Sequence, residues 1–366
     1  MWRPSLLFLS LIGSTGLIAP AQAPAAPSTP PLTARDAAGM NGQPVEEIMR
    51  LDVVVTDKGG KVVPGLGAGD FQLLDNGRPM EILSFKAYGP SSPPADPPAS
   101  VIIVFDTVNM PFESVSYTRE QVGAFLRQNG GRLAFPVSLA FLTNEGIQMQ
   151  SEPETDGEDL ARNLEATAGH LRTVDRSAGT WGAIERYDFC IRMLTTLVDS
   201  IKNKPGRKLV IWAGPGWPML DNPGIDFSMK GQKAIFDSIV HLNTVMREGQ
   251  IELSSVTHGM PDAATYLYES FLKGVRKPNQ ALPPSLALKV LAIQSGGRVL
   301  PPSNDVTSEI AAIVQDAGTY YEITFEPPRP DGPNEYHELK VKLGQAGLAA
   351  HTDAGYYGQP TPPLAP

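Results

Sequence analysis

The stretch from Val101 to Met110, VIIVFDTVNM, places oxygen-bearing side chains directly after an apolar run. Asp106 ends the run, and Thr107 and Asn109 follow it within three residues. A carboxylate beside hydroxyl and amide oxygens offers the hard ligands that Mg²⁺ prefers. The same aspartate could instead cap a strand-to-helix turn by accepting hydrogen bonds from backbone N–H groups. The stretch therefore leaves both a ligand-binding role and a structural role open for Asp106.

A second loop with possible chemistry reads Gly214-Pro215-Gly216-Trp217 and follows another apolar run. Two glycines after a strand suggest phosphate binding, but Met219 replaces the third glycine of G-x-G-x-x-G, and the prolines obstruct a helix start. Trp217 beside Pro218 is a candidate for an exposed anchor, because aromatic residues are enriched at binding hot spots. A tryptophan packed within the loop is the alternative.

No catalytic motif stands out in the chain. The patterns G-x-x-x-x-G-K-[ST], H-E-x-x-H and G-x-S-x-G are absent. The single cysteine, Cys190, lies in a helical pattern where a buried thiol is expected, and it excludes an intrachain disulfide. We therefore expect a protein that is not an enzyme. The histidines show no metal-ligand spacing either, at His170, His241, His258, His337 and His351.

Apolar strands alternate with amphipathic helices between residues 100 and 317. The runs VIIVF and LVIWA are entirely apolar, which is typical of strands that are covered on both faces. Apolar residues recur at spacings of three and four along 114–129 and 183–202, and a helix pattern follows an Asn-Asp cap over 305–317. The alternation predicts a doubly wound, mostly parallel α/β sheet. Its predicted strands are Val101–Phe105, Val137–Leu142, Lys208–Ala213 and Ile251–Thr257.

Strand patterns of period two flank the α/β segment on both sides, at residues 45–88 and 318–357. The Pro- and Ser-rich residues 89–99 separate the first flank from the α/β segment as a linker. Neither flank is long enough to build a core of its own, and the termini of a domain tend to lie close together. We therefore predict that the two flanks form one antiparallel β-sandwich, into which the α/β domain is inserted.

The ends of the chain have compositions of their own. Residues 1–23 combine an arginine, an apolar run and small residues, which predicts a secretory signal peptide and a periplasmic or secreted protein. An uncleaved N-terminal anchor is the alternative. Residues 24–44 indicate a flexible Pro/Ala-rich leader, and 358–366 a disordered tail. No later apolar run reaches the ~18 residues of a membrane span. The net charge of −9 argues against a nucleic-acid partner.

Five segments of the chain, taken in order, resemble the VWFA-related proteins that are abundant in Acidobacteria and contain a von Willebrand factor type A (VWA) domain. The order and spacing of all five carry the resemblance, which runs from about residue 45 to 357. It implies a VWA-like doubly wound fold and an extracytoplasmic location, but no established activity. The segments are LDVVVTDKGGKVVPGLGAGDFQLLDNGRPMEILSF, VIIVFDTVNMPFE, PGRKLVIWAGPGW, LAIQSGGRVL and YYEITFEPP with HELKVKL and GLAAHTDAGYY.

The resemblance also implies where a metal would bind. In VWA domains that bind metal, the first strand ends in Asp-x-Ser-x-Ser, and two later loops add a threonine and an aspartate. Asp106 matches the first position, whereas Val108 and Met110 stand at the serine positions without an oxygen. Thr180, or alternatively Thr173, could supply the threonine, and the loop after LVIW holds no carboxylate. We therefore expect a degenerate site without a metal, in which Asp106 and Thr180 could hold Mg²⁺ only weakly.

These observations favour a secreted or periplasmic binding module. Its apical loops, at the carboxyl ends of the parallel strands where open α/β sheets bind ligands, would engage a protein partner. The alternatives are an envelope component that self-associates through sheet edges and a hydrolase with an unrecognised site. The candidate partner-binding residues are Asp106, Thr107, Asn109, Thr180, Gly214, Gly216 and Trp217.

Overall fold

The computed structural model describes residues 48–90, 92, 95–168, 179–220, 228–260 and 263–359. The predicted signal peptide and leader, most of the predicted tail, part of the linker and Thr173 lie outside these residues. The described strands are β1 Met49–Thr56, β2 Phe71–Asp75, β3 Arg78–Met80, β4 Ser84–Tyr88, β5 Ser100–Asp106, β6 Arg132–Thr143, β7 Gly146–Met149, β8 Glu154–Asp156, β9 Lys208–Ala213, β10 Ile251–Val256, β11 Tyr320–Phe325, β12 Glu335–Leu343, β13 Ala349–His351 and β14 Gly355–Gly358. The described α-helices are α1 Phe112–Leu126, α2 Gly157–Ala168, α3 Gly179–Ile201, α4 Met229–Glu248, α5 Leu288–Gln294 and α6 Val306–Asp316.

The central sheet has the strand order β10-β9-β5-β6-β7, and β8 also pairs with β6. Strands β10, β9, β5 and β6 are parallel, whereas β7 and β8 pair with β6 in the antiparallel sense. The mostly parallel α/β sheet predicted from the sequence is therefore confirmed. Because β6 and β9 lie on opposite sides of β5, the strand order reverses there and opens a crevice at the carboxyl ends of β5 and β9.

Helices cover both faces of this sheet, which explains why the VIIVF run of β5 and the LVIWA run of β9 are entirely apolar. Alternate residues of a strand point to opposite faces. Ile102 and Val104 of β5 pack in one core with α3, α4 and α5. Val101, Ile103 and Phe105 pack in a second core with α1, α2 and α6. Burial on both faces therefore holds β5 at the centre of the sheet and fixes the position of Asp106 at its end.

Two antiparallel sheets are built from strands that precede and follow the α/β segment. Their strand orders are β13-β1-β11-β4 and β14-β12-β2-β3. Leu51 of β1 lies opposite Ile323 of β11, and Leu73 of β2 lies opposite Val341 of β12, so the two flanks pair with each other as predicted. The sheets share a core that includes Leu51, Leu73 and Phe325. Strand β14, which the sequence did not predict, pairs with β12 and ends within the predicted tail.

A buried arginine joins the parallel sheet to the antiparallel sheets. The side chain of Arg207, directly before β9, is 3% exposed and donates a hydrogen bond to Glu252 of β10. Its Nε lies 3.7 Å from Oδ2 of Asp52 in β1. Its guanidinium carbon lies 4.6 Å from the ring centre of Tyr320 in β11, within cation–π range. One side chain therefore connects β9 and β10 to β1 and β11.

A second buried ion pair supports the same junction. Arg298 Nε lies 2.8 Å from Oδ2 of Asp316, the last residue of α6, and its Nη2 donates to Oδ1 at 3.0 Å. Its Nη1 donates to the carbonyl oxygen of Gly60, in the turn after β1, at 2.9 Å. The charge-assisted hydrogen bond and the close contact of the opposite charges offset part of the cost of burying them. Arg298 thereby ties α6 to the antiparallel sheets.

Replacing Arg207 with methionine should lower the free energy of unfolding by about 3–5 kcal/mol, because it leaves the buried Glu252 carboxylate without its cation. Chemical denaturation followed by circular dichroism measures the change. Arg192→Met is the matched control, because Arg192 is exposed on α3 and forms no salt bridge with a described residue. We expect that control to change stability by no more than about 0.5 kcal/mol. Equal stabilities for the two variants would contradict the role assigned to Arg207.

Candidate functional site

The crevice at the carboxyl ends of β5 and β9 contains Asp106, but the aspartate is sealed inside it. Asp106 is the last residue of β5, and its side chain is fully buried. The loop after β9, beginning at Gly214, covers it from the neighbouring strand. A buried side chain cannot contact a partner in this conformation. The site geometry therefore corrects the expectation that Asp106 borders an open cleft.

Four N–H donors fill the acceptor positions of the Asp106 carboxylate. Oδ1 accepts from the backbone N–H groups of Val108 and Asn109, each at 3.0 Å. Oδ2 accepts from Asn109 Nδ2 at 2.9 Å and from the indole Nε1 of Trp212 at 3.0 Å. Burial raises the pKa of Asp106, and the hydrogen bonds from Asn109 and Trp212 oppose that rise. Because all four partners are donors, the arrangement fits the ionised carboxylate.

Glycine is required where the loop after β9 crosses the Asp106 side chain. Gly214 has φ of +153°, and a Cβ atom there would lie 2.8 Å from the Cβ of Asp106. At Gly216, where φ is +73°, a Cβ would lie 2.6 Å from Cδ2 of Leu288. Both distances are shorter than side-chain atoms tolerate, so larger residues would push the loop outwards. The two glycines predicted as site residues thus serve close packing of the loop.

The residues around Asp106 do not fit a Mg²⁺ site. Mg²⁺ requires oxygen ligands in near-octahedral geometry, whereas the Asp106 oxygens face N–H groups. Val108 and Met110, 4% and 2% exposed, belong to the two helix-covered cores. Asn109 Oδ1 is a buried oxygen without a hydrogen-bond partner, but it is a single ligand. Among the described parts of the chain, no group of three or more His, Cys, Asp and Glu could hold a metal ion.

The structure does not bring Thr180 to this cluster. Asn109 Nδ2 contacts Sγ of Cys190 on α3 at 3.3 Å. Thr180 is exposed in the first turn of the same helix, ten residues before Cys190. A helical rise of 1.5 Å per residue separates the two by about 15 Å. Thr180 is therefore a surface residue of the same end of the sheet and has no contact with Asp106.

Two further predicted site residues are buried. Thr107 is 1% exposed, and its hydroxyl donates to the carbonyl oxygen of Leu142 at 2.8 Å, which links β5 to β6. Trp217 is 5% exposed, and its indole N–H donates to the carbonyl oxygen of Leu286 at 2.9 Å. Its ring meets the ring of Trp212 edge-on, with centres 5.6 Å apart. The expectation of an exposed Trp217 is therefore wrong, and the packed alternative holds.

A groove of 340 Å³ lies above this packed layer, at the carboxyl ends of β9 and β10. Its wall is mostly apolar and aromatic, as in many ligand-binding clefts. His258 lines it and stacks on Tyr117 of α1 with ring centres 3.8 Å apart, while its Nδ1 is buried without a partner. We call this feature the apical groove. It is formed chiefly by Trp217, Met219, His258, Met260, Tyr268 and Lys289.

Exposed apolar side chains lie on the same end of the sheet as the apical groove. The described residues include nine large hydrophobic side chains that are exposed, and six of them lie on this end of the sheet. Two stand in the 3₁₀-helix that contains Tyr268, and the others begin α1, α3 and α4 or follow β10. Together with the groove they form the apical surface. The six are Phe112 (63%), Trp181 (78%), Met229 (87%), Met260 (82%), Tyr266 (48%) and Leu267 (47%).

Sequence reasoning missed these six residues, although one signal was available. Trp181 stands three positions before Ile184 and continues the apolar stripe of α3 beyond the edge of the sheet. Such a side chain reads as core from its spacing alone. The exposure of the Trp181 side chain follows from the length of α3 relative to the sheet, which the sequence spacing does not reveal.

Replacing Trp212 with phenylalanine should lower the free energy of unfolding by about 1 kcal/mol more than Trp217→Phe does. Both changes remove the same volume and one buried N–H donor. Trp212 donates its hydrogen bond to a carboxylate, whereas Trp217 donates to a neutral carbonyl oxygen. Hydrogen bonds to charged groups contribute about 1.5–3 kcal/mol, and those between neutral groups contribute about 1 kcal/mol. Urea denaturation followed by far-ultraviolet circular dichroism measures both variants. A larger loss for Trp217→Phe would contradict the importance assigned to the Asp106 cluster.

Comparison with known proteins adds little to this geometry. No protein-family model and no curated protein matches the sequence. The human COPII-coat protein Sec24c is similar in structure with a TM-score of 0.35 and 10% identity, over 73% of this chain and 44% of that one. The pilus adhesin SpaC from Lactobacillus rhamnosus GG gives 0.30 and 9% identity, over 81% of this chain and 49% of that one. The chain spans less than half the length of each, and scores this low carry no argument about fold or function.

Proposed function

We propose that the chain is a binding module that acts outside the cytoplasm and engages a protein partner through the apical surface. The observation that carries the proposal is that six exposed apolar side chains lie on the end of the sheet that contains the apical groove. Exposed apolar patches mark interaction sites, because water contact with such surface is unfavourable. The extracytoplasmic location rests on the signal-peptide pattern of residues 1–23.

The energetics favour association with another protein. Fully burying one large apolar side chain contributes about 1.5–3 kcal/mol. Trp181 is 78% exposed and Phe112 is 63% exposed, so most of the apolar surface of both side chains is still available for burial by a partner. Aromatic residues at the centre of an interface commonly dominate its binding energy. A partner that covers Trp181 and fills the apical groove would therefore gain more binding free energy than one that contacts only the edge of the apical surface.

We further propose that this recognition needs no metal and no catalysis. In a metal-dependent site, a partner carboxylate would complete the coordination of the ion. Here the Asp106 carboxylate is already satisfied by four donors from the chain itself. The surface that remains available above it is chiefly apolar. Partner recognition would accordingly depend on shape and apolar contact, which salt weakens little.

The proposal predicts that single apical substitutions weaken partner capture. The immobilised chain is exposed to the extracytoplasmic fraction of the source organism, and retained proteins are quantified by mass spectrometry. Trp181→Ser and Met260→Ser should each reduce retention of the same partner about tenfold or more, a loss of about 1.4 kcal/mol. The partner is then purified and titrated directly against each variant, so that the variants are compared by their affinity and not by the amount of partner recovered.

Leu83→Ser is the matched control for both variants, because Leu83 is 48% exposed but lies directly before β4 in the antiparallel sheets. It should retain the partner as well as the unchanged chain does. Equal loss in all three variants would indicate a general effect of exposed apolar surface. Undiminished affinity in both apical variants would place the binding surface elsewhere on the molecule.

A further inference from the structure

A second cavity lies at the amino ends of β9 and β10, at the other end of the parallel sheet from the apical surface. Its volume is 270 Å³, and the start of β1, the end of α4 and the start of β10 enclose it together with Asp353. We call it the basal cavity. The residues that matter for its chemistry are Met49, Met246, Arg247, Ile251, Glu252 and Asp353.

The acidic side of the basal cavity contains a buried carboxylate oxygen without a donor. Glu252 is 7% exposed; Oε2 accepts from Arg207, but Oε1 is buried without a partner. Asp353 forms no salt bridge with any residue that the structure describes. Burial raises the pKa of Asp353 to about 7; the nearby Asp52 and Glu252 carboxylates add to that rise, and Arg247 and Arg207 oppose it. Glu252 Oε1 thus lacks a donor, and Asp353 lacks an ion-pair partner among the described residues, whereas a ligand ammonium group supplies three N–H donors.

The basic side of the cavity contains an N–H donor without a hydrogen-bond partner. Nη2 of Arg247 donates to Oε1 of Glu248 at 3.1 Å. Its Nε is buried and has no hydrogen-bond partner. A guanidinium group commonly binds a carboxylate through two parallel N–H donors. A ligand carboxylate would therefore satisfy a group that the chain leaves unpaired.

The remaining wall and the size of the cavity restrict the ligand further. Met49, Met246 and Ile251 give it an apolar side. Further polar lining comes from Arg50, Asp52, Arg207, Gln250 and Ser295. Its 270 Å³ falls just below the range of about 300–1,000 Å³ that is usual for small-molecule pockets. A ligand of few heavy atoms, with an ammonium group, a carboxylate and a short aliphatic part, matches every unpaired feature. We infer that the basal cavity binds a free α-amino acid with a small aliphatic side chain.

Calorimetric titration of the full chain with three probes tests the inference. L-Leucine carries both charges, isoamylamine lacks its carboxylate, and isocaproate lacks its ammonium group. We expect leucine to bind about tenfold more tightly, or better, than either truncated probe, because each truncation leaves one buried group of the cavity unpaired. Binding of isoamylamine as tight as that of leucine would overturn the assignment in favour of a simple cation site. No heat with any of the three would show that the cavity is not a ligand site.

Two variants locate the binding. Asp353→Asn and Arg247→Gln should each weaken leucine binding about tenfold or more. Asp237→Asn, in an exposed ion pair with Lys233 on the same helix as Arg247, should leave binding unchanged. Melting temperatures identify any variant that fails to fold, and in that case the three-probe series on the unchanged chain decides alone. Undiminished leucine binding in two folded cavity variants would contradict the basal cavity as the site.

Discussion

The end of the central strand depends on one buried carboxylate. An ionised aspartate without partners in an apolar interior is strongly unfavourable, so Asp106 constrains everything that packs on it. The turn that follows β5 supplies two backbone donors and the Asn109 amide, and β9 supplies the Trp212 indole. Gly214 allows the next loop to close over the group. The apical surface is therefore built above a carboxylate whose four hydrogen-bond donors come from the chain itself.

A corresponding constraint acts at the amino end of the same sheet. Arg207 and Glu252 are buried together, and each would be costly alone. Their contacts with β1 and β11 hold the flanking sheets against the parallel sheet. The chain thus leaves the antiparallel sheets at β4, completes the α/β domain, and returns at β11 beside its point of departure. In the described part of the chain, the loops after β5, β9 and β10 form no strand pairing with either antiparallel sheet.

Periodicity predicted the elements well, and long-range contacts explain what it missed. Fully apolar runs identified β5 and β9, and the small size of the two flanks predicted their pairing. Helix α4 went unpredicted although its buried residues recur at helical spacing, and β14 is too short and glycine-rich to give a signal. From the sequence, Trp217 is a candidate for an exposed anchor, with packing within the loop as the alternative. Its burial depends on a carbonyl oxygen sixty-nine residues later, which no local pattern reveals.

The most direct test of this account is a calorimetric titration of Mg²⁺ into chelator-treated protein, together with its melting temperature. The account predicts no heat of binding and an unchanged melting temperature, because N–H donors from the chain already surround the Asp106 oxygens. Micromolar binding would contradict it. Such binding would also raise the melting temperature, because Mg²⁺ at a hundred times its dissociation constant would stabilise the fold by about 2.7 kcal/mol. That outcome would mean that the loop after β5 opens to expose Asp106 as a metal ligand.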